Sequence, residues 1–288
     1  VGGEGVDVTW RLEVVHKTTF EYETAVKSSY NEARMTPTTD LHQATVNARF
    51  TTEPATPIRR YWDYWGTQVN AFDICDPHDR LVLTSAAVVE TEAAQPPVRE
   101  ATWDDLATPG VHDEHAELLA PTPYTAQDDE LAEKAATLAA SNDDPVDAVL
   151  AAMRWVHDSL TYQPGVTGVH TSAAQAWQAR LGVCQDFAHV GLVLLRAMGV
   201  PSRYVSGYLH TQKDAAIGDR VEGESHAWIE AWTGDWWGFD PTNNQQVGHR
   251  HIGVARGRDY ADVAPLRGVH SGGGTASLDV EVNLTRLR

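Results

Sequence analysis

The stretch RLGVCQDFAHVGLVLLRAMGVPSRYVSGYL, residues Arg180–Leu209, decides how this chain folds. Phe187, Val190, Gly191, Leu194, Leu195 and Met198 fall at i, i+3, i+4, i+7, i+8 and i+11, the spacing of one helical face. The run is apolar almost without interruption, so the spacing predicts a central, buried helix. Gly199 and Pro201 stop it, and SRYVSGYL then reads as a strand. Cys184 stands three residues before Phe187, on the buried face of the first turn. It is either one more small hydrophobe or a nucleophile held at a helix start.

Downstream, SHAWIEAW and WWGFDPT are two strand-like runs bounded by turn residues. Upstream, DDELAEKAATLAAS reads as a helix with an acidic first turn. NDDPVDAVLAAMRWVHDSL reads as another, with Pro145 in its first turn and an apolar stripe of Val149, Met153, Val156 and Leu160. SAAQAWQARLG is a short helix stopped by Gly182. Helices, one central helix, then antiparallel strands make residues 128–288 an α+β domain.

Residues 1–92 read as an antiparallel, sandwich-like β domain. VTWRLEVVH alternates Val8, Trp10, Leu12 and Val14 on one side, and ATVNARF repeats this with Val46, Ala48 and Phe50. RRYWDYWGTQVNAFDI reads as a hairpin around Gly66, and RLVLTSAAVVET closes the series. Residues 93–127, rich in Pro, Ala and acidic residues, read as a surface linker holding a short helix. HSGGGTASLDV is a turn before a final strand; no helix follows it, so it is not a phosphate loop.

Unpaired backbone N–H groups and the macrodipole at a helix N-terminus favour a thiolate and supply donors to an oxyanion. Such a thiol needs a base, and the base needs an orienting acceptor. His226 starts HAWIEAW and Asp240 ends WWGFDP. If these strands are neighbours, one imidazole nitrogen faces Asp240 and the other faces Cys184. Trp228, Trp232, Trp236 and Trp237 would then shield the ion pair and wall a cleft.

GVCQDFAHVGLVLLRAMGVPSRYVSGYL, SHAWIEAW and WWGFDPTNN resemble the three signature blocks of the transglutaminase-like superfamily, within the papain-like cysteine enzymes. FEYETAV and DYWGTQVNAFDI resemble the β domain that precedes the core in its bacterial, cysteine-protease-like branch, and GRDYADVAPLRGVHSGGGTASLDVEV resembles that branch's tail. The resemblance implies a helix packed on an antiparallel sheet, with Cys184 as nucleophile, His226 as general base and acid, and Asp240 orienting His226. It implies no cofactor and no metal. Hydrolysis of an amide or peptide bond is the expected reaction; acyl transfer to an amine and a catalytically silent peptide-binding module are the rivals.

The remaining candidates read more plainly. Cys75 stands at a strand end with no helix behind it and reads as structural. The side chains of Gln185 and Asp186 would solvate the helix start, and His189 would be a core or rim histidine. His249 and His251 lack further ligands at metal spacing and read as an ordinary loop. DPTNNQQ is a polar turn beside the cleft. With 40 acidic against 22 basic residues, the net charge of −18 excludes nucleic acid and anionic membrane as partners. The expected partner is a peptide or protein substrate; no oligomeric state is legible. No apolar run spans a bilayer, the first residues do not read as a signal peptide, and two cysteines form no disulfide framework. The setting is therefore expected to be cytoplasmic.

Overall fold

A computed structural model describes residues 9–223 and 225–288. The first part is a set of antiparallel strands: β1 (Thr9–Ala33), β2 (Gln43–Glu53), β3 (Arg59–Trp62), β4 (Gln68–Ile74) and β5 (His78–Glu92). The segment after it carries short helices α1 (Trp103–Leu106), α2 (Pro109–Glu114) and α3 (Ala116–Leu119), then longer α4 (Asp129–Ala140) and α5 (Pro145–Ser159). Two-residue strands β6 (Thr161–Tyr162) and β7 (Leu181–Gly182) pair in parallel on either side of α6 (Ala173–Ala179). Helix α7 (Cys184–Ala197) leads to β8 (Ser202–Leu209), β9 (Arg220–Gly223), β10 (His226–Trp232), β11 (Trp236–Asp240), β12 (Gln245–Gln246) and β13 (His251–Gly257). Helix α8 (Tyr260–Val263) and strands β14 (Leu266–Gly272) and β15 (Ala276–Arg286) complete the chain.

Helix α7 is buried from Gln185 to Arg196, as its apolar run predicts. It packs on β10 and β8 and is flanked by α4, α5 and α6. Leu192, Leu194 and Leu195 are wholly buried, and each such side chain contributes about 1.5–3 kcal/mol by leaving water. The sheet beneath α7 has the order β12-β11-β10-β8-β13 and is antiparallel throughout. A central helix on an antiparallel sheet is the α+β architecture that the sequence predicts.

The second sheet has the order β2-β5-β1-β15-β9, with β14 and β4 also on β1. The chain tail therefore closes on its first strand: Leu12 lies opposite Arg286 and Tyr22 opposite Ala276. The turn between β14 and β15 is made by Gly272, Gly273 and Gly274, all at positive φ, where a side chain would be strained. Trp10, Leu12 and Val14 are buried along one face of β1 as expected; Val8 lies outside the described residues. The hairpin around Gly66 is present as β3 and β4.

Two local expectations need correction. Val46 and Ala48 are exposed while Phe50 is buried; a register shift between Thr45 and Asn47 takes Val46 out of the alternation, and Ala48 is exposed although it follows the shift in register with Phe50. Helix α6 ends at Arg180, in the left-handed region at φ 55°, rather than at Gly182.

The two sheets meet through specific polar contacts. Gln43 bonds both the N–H and the carbonyl of Gly253 on β13, at 2.7 and 2.9 Å. Trp10 stacks on His249 with ring centroids 4.3 Å apart. Buried Glu230 lies between Arg203 and Arg256, and Arg256 also reaches Asp40. The two arginines hold the Glu230 carboxyl at about 2 despite its burial.

Candidate active site

Val183 is extended (φ −114°, ψ −176°) and turns the chain into α7, so Cys184 is its first helical residue. Its free thiol is partly buried. Asp186 fastens this turn. Its Oδ2 accepts the Val183 N–H at 2.8 Å and the Thr167 hydroxyl at 2.7 Å. The side chain is fully buried, contrary to the solvating role expected of it, and burial pushes its carboxyl up against the opposing effect of those two bonds. Gly182 makes the room: a Cβ there would lie 2.6 Å from that of Asp186. Gln185 is also buried, its amide reaching the Val169 carbonyl at 3.5 Å.

Strands β10 and β11 are antiparallel neighbours, which brings His226 and Asp240 together. His226 Nε2 lies 2.8 Å from Asp240 Oδ2, and Cys184 is close enough to the imidazole to act on its charge. With Nε2 engaged by the carboxylate, Nδ1 is the nitrogen left for the thiol. Burial disfavours the imidazolium. The hydrogen bond to Asp240 and the nearby Cys184, with the charges of both, outweigh it and push His226 up to about 10. Burial likewise opposes ionisation of Asp240, yet its histidine partners hold the carboxyl well below the usual carboxylate range.

Asp240 is more heavily bonded than its place in the sequence suggests. Oδ1 accepts the backbone N–H groups of Thr242 and Asn243 at 3.0 and 3.2 Å. Oδ2 accepts the Asn243 amide at 2.8 Å and faces His251 Nε2 at 3.4 Å. His251 Nδ1 in turn accepts the Gly248 N–H at 3.3 Å, which leaves its proton on Nε2, pointing at Asp240. Burial pushes His251 down, against the raising effect of Asp240. The reading of His251 as an ordinary loop residue is therefore corrected: it is a buried partner of Asp240, at the start of β13.

His226, Asp240 and His251 hold their ligand atoms within 4.8 Å of one another. Asn243 directs an N–H at the same carboxylate oxygen, so Oδ2 is already engaged by hydrogen-bond donors.

Of the four tryptophans expected to shield the pair, Trp228 does so, with ring centroids 6.1 Å from His226 and 5.2 Å from His251. Trp232 and Trp236 pack on His115, and Trp237 donates to Thr233. They lie toward the far end of the hairpin, because six residues of strand span about 20 Å. His189 is a core histidine: Nε2 accepts the Tyr260 N–H at 3.2 Å, and burial pushes it down to about 3. Cys75 is exposed just past β4, so it is not a packed structural cysteine.

The transglutaminase-like superfamily model matches residues 132–241, the span that holds Cys184, His226 and Asp240. A model of the bacterial transglutaminase-like N-terminal region matches residues 12–90. An uncharacterized protein of Mycobacterium leprae is 50% identical over 278 residues, covering 96% of this chain and 99% of that protein. A protein-glutamine gamma-glutamyltransferase of Pseudomonas aeruginosa is 30% identical over 133 residues, 41% of this chain and 20% of that protein. Among solved structures, a Cytophaga hutchinsonii protein provisionally named a cysteine protease superposes with a TM-score of 0.77 at 24% identity, over 97% of this chain and 91% of its own. By the match of core and N-terminal region alike, the chain belongs to the transglutaminase-like superfamily.

Proposed function

We propose that this chain hydrolyses amide or peptide bonds through an acyl-enzyme on Cys184. Cys184 at the start of a buried helix, beside a His226 that is hydrogen-bonded to Asp240, carries the reading. The Cys184 sulfur attacks the carbonyl carbon while backbone N–H groups at the helix start receive the oxyanion. As the intermediate collapses, the C–N bond breaks and the imidazolium of His226 gives its proton to the leaving amine. Water, deprotonated by the now neutral His226, then releases the acid and restores the thiol. Asp240 holds the ring and stabilises its cationic form. No cofactor enters these steps, and the partner is a peptide or protein substrate.

Acyl transfer to an amine shares every step up to the acyl-enzyme, and the P. aeruginosa relative's name favours it as the second reading. Incubating the protein with a glutamine-containing peptide and a primary amine separates the two. Hydrolysis predicts cleaved or deamidated product, and transfer predicts a new amide of higher mass. Equal turnover by Cys184→Ala protein would contradict both. Placement in the cytoplasm belongs to the same proposal; among the described residues no helix is long and apolar enough to cross a membrane.

A further inference from the structure

The segment 161–169 borders the nucleophile, and its chemistry is unlike the rest of the chain. Tyr162 pairs with Gly182, and the Gln163 N–H donates to the Gly182 carbonyl at 2.9 Å. Thr167 bonds Asp186 at 2.7 Å, and Gln185 reaches the Val169 carbonyl at 3.5 Å. These contacts tether the segment on both sides of Cys184 in the chain. Tyr162, Val166 and Val169 remain 52, 41 and 50% exposed. Single exposed apolar residues are ordinary on a protein surface. Three within eight residues, fastened beside a thiol, form a patch.

The patch is also free of charge. No Asp, Glu, Lys or Arg occurs between residues 160 and 179, although the chain holds 40 acidic and 22 basic residues. Asp186 beneath it is wholly buried, and Arg180 at its far end is paired with Glu130. A charged substrate side chain brought against this segment would lose water and meet no Asp, Glu, Lys or Arg within residues 160–179. An apolar one would remove its own surface and that of Tyr162, Val166 and Val169 from water.

Building on the acyl-enzyme reading, we infer that segment 161–169 selects the acyl donor, favouring substrates with an uncharged, apolar side chain next to the scissile amide. Asp186 and Thr167 act as its fastening. Peptidyl chloromethyl ketones carrying Leu, Asp or Lys beside the reacting carbonyl test this without a known substrate. Labelling of Cys184 is followed by mass spectrometry and divided by the iodoacetamide rate of the same protein. The Leu probe is expected to label at least tenfold faster than the Asp or Lys probe. In the double variant Val166→Asp, Val169→Asp that advantage should shrink to threefold or less, with the Lys probe gaining. Equal labelling by all three probes, where iodoacetamide still selects Cys184 over Cys75, would overturn the selectivity and leave the nucleophile standing. If iodoacetamide does not select Cys184, the acyl-enzyme reading fails and this inference fails with it.

Discussion

His226 and Asp240, fourteen residues apart on adjacent antiparallel strands, meet at 2.8 Å between Nε2 and Oδ2. That bond, with the Cys184 contact, keeps the imidazole cationic up to about pH 10. Asp240→Asn removes the charge and is expected to slow any Cys184-dependent turnover by about 10²–10⁴-fold. The alkaline limit of that turnover, which needs the His226 proton for the leaving amine, should fall from near pH 10 toward the ordinary histidine range. A limit that stays near pH 10 would separate the charge of Asp240 from the behaviour of His226.

The same bond predicts how stability varies with pH. His226 has its folded value raised to about 10 against an ordinary 6.5, so its contribution is complete below pH 6.5 and is lost as pH rises through 10. Asp240 is depressed, so its contribution is present above the usual carboxylate range and is lost only in strong acid. Melting temperatures of the wild type are expected to drop between pH 7 and 10.5. In the His226→Gln variant this drop should be smaller.

Gly182 and Asp186 are coupled sterically. Gly182→Ala places a methyl 2.6 Å from the Asp186 Cβ and 2.7 Å from Oδ2, and it is expected to destabilise by about 1–3 kcal/mol. It should also slow alkylation of Cys184, whose turn it distorts. Asp186→Ala alone loses two hydrogen bonds. Asp186→Gly loses the same two bonds and also removes the Cβ, so combined with Gly182→Ala it relieves the clash, and denaturant titrations should show that double variant less unstable than the sum of its singles.

Glu230 tests the seam between the sheets. It is buried between Arg203 and Arg256, so Glu230→Ala removes the carboxylate partner of the part-buried Arg203 and leaves Asp40 as the carboxylate partner of Arg256. A loss of about 3–5 kcal/mol is expected in urea unfolding. A change under 1 kcal/mol would mean that the arginines find water or other partners.

His251 is the partner of Asp240 from the far edge of the sheet. Phe at this position keeps the ring volume and removes the N–H, whereas Gln keeps a donor near Nε2. His251→Phe is expected to lower turnover about tenfold with the KM little changed, and His251→Gln to restore most of it. Equal kinetics for both variants would assign His251 a packing role.

These residues also show what was legible in the sequence. Helix α7 announces itself through its apolar period and the stop at Gly199 and Pro201, because burial on one face imposes that spacing. The meeting of His226 and Asp240 was legible because two short strands joined by a tight turn pair with each other. Asp186 was misread because the Thr167 hydroxyl that draws it inward arrives through the parallel pairing of β6 and β7, which no local pattern signals. His251 was missed for a similar reason. The chain crosses from β12 at one edge of the sheet to β13 at the other, and that crossing brings His251 to Asp240. A histidine leading into the alternating Ile252 and Val254 was the one available hint.

The most direct test of the central claim is to trap the acyl group. The protein is mixed with an activated acyl ester, quenched in acid within seconds and mapped by peptide mass. One acyl group on Cys184 is predicted, decaying as product forms, with none on Cys75 and none at position 184 of the Cys184→Ala variant. Acylation spread equally over Cys75 and Cys184, or product release undiminished in Cys184→Ala protein, would contradict it.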